Sequence, residues 1–341
     1  MIFSYRTRVF LGKFFRFLMI VCILLAIGML CWLLWLQRFV VYTSDGVKLD
    51  FSLGEILQGQ VALPPEPYPD IEIQFGPDIE EEQQEPSATQ LLKGYYIPED
   101  SLYNGIPSLL EKLKKLPAGT PVLLDVKNYR GYFYYSTTVG SQIYGKIDAA
   151  AMDELIAWLG SSDLYTIARM SSLSDYVYGA ENPSAGIPLK SGALYFDENK
   201  CYWLDPTKEA TQTYLIQVVR ELRQLGFDEV VFTQFIIPES EKVVFKADRR
   251  QAISDAAQAI VSACATETFL VSFATEDASF PMPTDRSRLY LLNVPAAGVA
   301  DVVAQLPESF ISSRLVFFAD NTDTRYEKYG VLRPIDLALF D

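Results

Sequence analysis

No histidine occurs anywhere in the 341 residues of this chain, so any chemistry must rest on carboxylates, Lys, Tyr, Ser or Thr. Histidine is the usual general base near neutral pH and the commonest zinc ligand. A Ser-His-Asp triad and a HExxH zinc site are therefore excluded. The groups that could act instead gather where short β-rich runs end. Asp125 and Lys127 stand at the end of one such run, Arg169 at the end of the next, and Thr233 and Gln234 at the end of a third. Ser272, Asn293 and Asp320 end later ones. Asp125 can pair with Lys127 or Arg169, or accept hydrogen bonds from sugar hydroxyls. The stretch 171–206 is rich in rings, with Tyr176, Tyr178, Tyr195, Tyr202 and Trp203. Such faces stack on the apolar edges of sugar rings, or else pack the stretch onto its neighbours.

The runs that end in these residues alternate with helical patterns. Strands are expected at 93–97, 121–126, 164–169, 229–235, 269–273, 288–294, 314–320 and 329–335, and helices at 105–116, 147–159, 207–225, 249–264 and 296–305. Helix 207–225 shows an apolar face at Tyr214, Val218, Leu222 and Leu225, with Gly226 placed to end it. Apolar strands in β/α alternation form a parallel sheet covered by helices. Eight such units over about 250 residues fit an α/β fold, a closed (β/α)8 TIM-like barrel. The order after the fifth strand is compressed, so irregularity is expected in its second half. An open doubly wound sheet is the alternative, but no GxGxxG or GxxxxGK[ST] loop occurs. No cofactor or metal is expected. In a barrel, function gathers at the C-terminal strand ends, which makes the insertion 171–206 one wall of the site. Asp205, before Pro206, reads as an N-cap of the helix that follows.

Ahead of the barrel the chain changes character twice. Phe17–Leu36 is an uncharged, mainly apolar run, long enough at ~1.5 Å per residue to span a bilayer. It exceeds the usual core of a signal peptide, and Trp32, Trp35 and Tyr42 suit a membrane interface. Arg6, Arg8, Lys13 and Arg16 precede it, so the N-terminus (1–16) is expected in the cytoplasm and the rest outside. A membrane-proximal hairpin (37–61), turning at Ser44-Asp45-Gly46, is followed by a Pro- and Glu-rich spacer (62–90) and the barrel (91–341). Cys22 and Cys31 lie in the apolar run, and Cys201 and Cys264 read as buried free thiols, with a disulfide between them the alternative. The net charge of −14 argues against nucleic acid as a partner.

Several stretches, taken in order, resemble a family of bacterial TIM-barrel domains described as putative glycoside hydrolases. They are Leu124-Asp125-Val126-Lys127-Asn128, Ile167-Ala168-Arg169, Trp203-Leu204-Asp205-Pro206, and Gly226-Phe227-Asp228-Glu229 running through Val230-Val231-Phe232-Thr233-Gln234-Phe235-Ile236-Ile237-Pro238. The resemblance spans 93–238. It implies a glycan-handling barrel with Asp125, Lys127, Arg169, Trp203 and Gln234 as ligand-binding residues. The departures bear on activity. Thr233 and Ile236 stand where the family carries Asp and Arg, and Asn128 stands where it carries a second Asp. Glycoside hydrolysis uses two carboxyl groups flanking the scissile bond, so no catalytic residue is assigned, with Asp125 the candidate if activity remains. Three functions fit: an inactive barrel binding cell-surface glycan, cell-wall polysaccharide or an envelope protein; an active hydrolase pairing Asp125 with Asp320 or Glu276; and an envelope scaffold without a sugar site.

Overall fold

The structure is a computed structural model that describes residues 91–307, 310 and 312–335, the short strands 40–43 and 46–49, and the isolated residues 19 and 29. It divides into two units, Met1–Ile79 and Glu80–Asp341. In the first, Val40–Thr43 and Gly46–Leu49 pair antiparallel on either side of Ser44-Asp45, with Thr43 opposite Gly46. The apolar run 17–36, apart from Met19 and Met29, and the whole spacer 62–90 lie outside the described residues. Among the described residues no helix is long and apolar enough to cross a membrane.

The second unit is a closed barrel of eight parallel strands in sequential order: β1 (Lys93–Tyr96), β2 (Pro121–Lys127), β3 (Tyr165–Ser171), β4 (Glu229–Thr233), β5 (Leu270–Thr275), β6 (Leu289–Leu291), β7 (Leu315–Phe318) and β8 (Gly330–Pro334). β8 pairs with β1 to close it. All eight expected strands form, because each is a run whose alternate residues have an apolar surface to bury on both sides. Leu123, Ile167, Val231, Ala274, Tyr290, Val316 and Leu332, one from each of seven strands, join Leu92 beside β1 in filling the lumen. Their neighbours in the chain, such as Val122, Leu124, Val230 and Phe273, face the much larger outer core under the helices.

The helices are α1 (Asp100–Asn104), α2 (Ile106–Leu113), α3 (Ala149–Leu159), α4 (Tyr176–Glu181), α5 (Glu209–Gln224), α6 (Arg249–Cys264) and α7 (Val299–Val303). α5 buries Tyr214, Val218 and Leu222 as its apolar stripe requires. Gly226, at φ 93°, then turns the chain where a Cβ would strike the Gly160 backbone at 2.6 Å. The N-cap of α5 is Lys208 and not Asp205. Asp205 instead holds the turn just before, accepting from the Thr207 amide at 2.9 Å and hydroxyl at 2.6 Å.

The second half is irregular as expected. β5 runs to β6 through 276–288 without a helix, and β7 reaches β8 through a single 3-10 turn, Thr324–Tyr326. The buried Arg314 takes over part of the missing helix's work. Its guanidinium donates to the carbonyls of Ser287, Thr284 and Pro283 at 2.7, 2.5 and 2.7 Å. Cys201 and Cys264 are both buried and free.

Candidate functional site

Parity along β2 would turn Leu123, Asp125 and Lys127 toward the same side, but a register shift intervenes. Asp125 lies opposite Arg169, whereas Lys127 lies opposite Met170. The extra residue is a bulge, and a bulge re-aims the side chain beyond it. Asp125 and Arg169 therefore face the lumen together at its C-terminal mouth. Arg169 donates from Nε to Oδ1 at 2.6 Å and from Nη2 to Oδ2 at 2.8 Å, a two-pronged ion pair that remains partly exposed. Burial alone would lower the Arg169 pKa, but the hydrogen bonds and charge of Asp125 raise it. Its guanidinium also lies 5.3 Å from the centroid of the Phe318 ring at the end of β7.

Lys127 does not join this pair. It is sealed under the insertion, 2.8 Å from Asp175 and 2.8 Å from the Ser171 carbonyl, with both side chains of the ion pair shut off from solvent. The rings of Phe133 and Tyr214 flank it. Asp175 also accepts from the Tyr214 hydroxyl at 3.0 Å and caps α4 through the Tyr178 amide at 2.7 Å. Trp203 is likewise drawn into the wall: it is buried, and its indole N–H donates to Asp197 at 2.9 Å. Of the five residues expected to bind ligand, the mouth keeps Asp125, Arg169 and Gln234.

Thr233 ends β4, with its hydroxyl 3.3 Å from the Met170 carbonyl and close to the Gln234 side-chain oxygen. Gln234 sits at φ 50°, a left-handed conformation that costs a non-glycine residue about 1 kcal/mol or more. The strand thus stops abruptly at the rim. Ile236, two residues on, is exposed. The other late strand ends also reach the rim: Asn293, at φ 56°, donates to Glu276 at 2.6 Å, and Asp320 lies 3.4 Å from the Tyr96 hydroxyl of β1. Ser272 faces away from this end, its hydroxyl accepting from the Arg288 amide at 2.8 Å.

One carboxylate was missed from the sequence. Glu99, two residues beyond Ile97, accepts from the hydroxyls of Tyr103 at 2.8 Å and Tyr134 at 2.9 Å. Burial first, then the Glu99 charge and hydrogen bond, then the Asp125 charge hold the Tyr134 phenol far above its ordinary pKa. Tyr134 is thus bonded to Glu99 and lies within reach of the Asp125 charge. Glu99 could have been found by applying the strand-end rule to β1 as well. Tyr134 carried no signal, because it arrives on the long connection after β2.

That connection is itself pinned by Glu221 of α5. Its carboxylate accepts from Tyr135 Oη at 2.7 Å, Thr137 Oγ1 at 2.6 Å, and Thr138 Oγ1 and amide N at 2.6 and 2.5 Å. Burial pushes the Glu221 pKa up, but these donors outweigh it and hold the carboxyl below its ordinary value.

The mouth thus presents Glu99, Asp125 and Asp320, the guanidinium of Arg169, tyrosine hydroxyls and the Phe318 ring. This is a set of donors and acceptors around an apolar face, suited to a polyhydroxylated ring. Among the described residues no group of three or more acidic or thiol side chains could hold a metal ion.

No curated protein matches the chain in sequence. Among solved structures, the chain is similar to a hypothetical protein from Ruminiclostridium thermocellum, at 17% identity and TM-score 0.45 over 53% of this chain and 96% of that one. It is also similar to the glycoside hydrolase domain of PelA from Pseudomonas aeruginosa, at 11% identity and TM-score 0.43 over 72% and 95%. A third is the alpha-L-fucosidase isoenzyme 2 from Paenibacillus thiaminolyticus, at 10% and 0.47 over 74% and 47%. Residues 106–271, from α2 to the first residues of β5, match the model of the family described as "Putative glycosyl hydrolase domain", the family whose motifs the sequence resembles.

Proposed function

We propose that the barrel mouth binds a glycan without hydrolysing it, and that the N-terminal run 17–36 anchors the domain to a membrane with the barrel outside the cell. The observation that carries the first part is the pairing at the mouth. Asp125, the carboxylate left at the place the family motif marks, is held in a two-pronged bond by Arg169. Thr233 stands where the resembled family supplies its second carboxyl group. A hydroxyl cannot serve as a proton-transfer acid near neutral pH and is a poor nucleophile without a base. An oriented carboxylate–guanidinium pair does suit two neighbouring sugar hydroxyls, one accepting and one donating. The anchor rests on the length and flanking charges of the apolar run.

One observation favours a second reading, an active hydrolase. Glu99 stands at the mouth, and Tyr134, which it holds, feels the charge of Asp125, so Glu99 could pair with Asp125 in place of the carboxyl group lost at Thr233. The experiment is glycan binding and reducing-end release by the purified full chain on one panel of polysaccharides. Binding without turnover is expected, weakened in Asp125→Asn. Turnover abolished by both Glu99→Gln and Asp125→Asn would replace the binding reading with the catalytic one. Membrane fractionation and the N-terminal sequence of the native chain test the anchor: a mature start near residue 40 would remove it.

A further inference from the structure

The insertion after β3 carries a second group of rings that the mouth does not use. Two of its aromatics are committed to packing: Tyr178 stacks on Tyr214 with centroids 3.9 Å apart, and Trp203 is buried against Asp197. Three others form a platform. Tyr176 and Tyr202 lie parallel, 8° apart in plane with centroids at 5.8 Å, and Phe196 closes on both, at 6.3 and 4.9 Å. Phe196 is 44% exposed, so part of its ring is open to a ligand. Arg130, on the connection after β2, places its guanidinium 5.6 Å from the Tyr176 ring.

Arg130 differs from most of its neighbours in having no carboxylate partner, although two carboxylates are close enough to act on the same thiol, Cys201. Asp175 is taken by Lys127, Tyr214 and the Tyr178 amide. Asp197 is taken by the Cys201 amide and the Trp203 indole. The Arg130 side chain is half-buried; its enclosed Nε finds no acceptor in the protein, and an external anion would meet the two terminal nitrogens. A guanidinium kept clear of the acidic groups around it, in a chain of net charge −14, is a ready partner for an external anion of planar, forked geometry.

We propose that Arg130 with the Tyr176–Tyr202–Phe196 platform is a subsite for an acidic sugar, a pyranose ring stacked on the aromatic face with its carboxylate on the guanidinium. This rests on the glycan reading of the mouth and adds the class of sugar that the wall selects. Stacking supplies ring recognition, and the forked carboxylate contact supplies the discrimination against neutral sugars. The ligand is short or only sparsely acidic, since the overall negative charge of the protein repels a long polyanion.

The test is calorimetric titration of the full chain in detergent with trigalacturonate and with its fully methyl-esterified form, which has the same rings without the charge. The acid is expected to bind at least tenfold more tightly than the ester. Arg130→Gln should erase that preference while leaving the near-ultraviolet circular dichroism unchanged, and Phe196→Ala should weaken both ligands. Equal binding of acid and ester, binding of neither, or a preference that survives Arg130→Gln overturns the subsite. A neutral glycan whose binding falls in Asp125→Asn, together with trigalacturonate showing no preference over its ester, would leave the mouth standing while the subsite fails. A panel on which nothing binds would remove both.

Discussion

The two ends of the lumen hold the same chemical pair in opposite settings. At the C-terminal mouth Asp125 meets Arg169 with about a fifth of each side chain still open to solvent. At the N-terminal floor Glu229 meets Arg288 at 2.5 Å with both fully enclosed. The floor pair is completed by hydroxyl groups: Tyr165 at 2.8 Å and Tyr290 at 2.9 Å donate to the Glu229 carboxylate. Burial first, and then the Glu229 charge, raise the pKa of both phenols, so they stay neutral donors. At the floor the enclosed Glu229 carboxylate takes its hydrogen bonds from protein groups alone. The mouth leaves acceptors and ring faces uncommitted. A carboxylate–arginine pair in a barrel is thus a plug or a binding element according to how many of its remaining hydrogen bonds the protein itself supplies.

The contrast breaks most readily at the floor. Glu229→Ala should lower stability by about 3–5 kcal/mol, because Arg288 is left charged and enclosed; the urea midpoint reads this. Replacing the pair by apolar residues, Glu229→Leu with Arg288→Met, should recover much of that loss. A floor variant that unfolds no more easily than wild type would show that water reaches this end.

Lys127→Met is expected to cost about 3 kcal/mol, at the low end because Asp175 keeps the Tyr214 hydroxyl and the Tyr178 amide. Its second effect sharpens the comparison. Without the Lys127–Asp175 pair the bulge in β2 loses its driving force, and glycan binding at Asp125 should weaken although Lys127 touches no ligand.

Glu221→Gln should cost about 1–3 kcal/mol and change the acid limb of stability. The Glu221 carboxyl titrates below its ordinary value when folded, so its contribution is complete above the unfolded value near ~4.3. It is lost as pH falls through the lower folded value. Acid titration of wild type and variant should therefore converge at low pH and separate above about pH 4.5. Parallel curves throughout would mean that the carboxylate is not what holds the 132–146 connection.

The smallest stability effect belongs to the mouth. Asp125→Asn should change the urea midpoint by less than about 1 kcal/mol, since the pair is partly solvated. Its consequence should appear in glycan binding instead. A loss as large as that at the floor would make the mouth a second plug.

The strands could be read from the chain because each is a short apolar run between helical patterns. The irregular second half showed itself through the crowding of runs after 269. The site was harder to read. Asp125, Arg169 and Gln234 could be placed by counting to the ends of strands. Lys127 could not, because a bulge breaks the alternation on which the count depends. Trp203 reads as a sugar-stacking ring by its type, yet its indole is spent on Asp197. Glu99 and Tyr134 come from different connections and meet only when β1 and β2 lie side by side.

What the sequence alone determined was the class of barrel, the strand ends that face its mouth and the exclusion of histidine chemistry. These follow from residue type and local period, which act over a few neighbours. The tertiary structure decided which charged groups are sealed and which are free. The pairing of Lys127 with Asp175 and of Glu221 with the Thr137-Thr138 turn joins residues 48 to 84 positions apart, and Arg130 is left out of such pairs. Whether a charge is spent or available depends on how many donors and acceptors close around it in three dimensions, and no local pattern in the chain records that number.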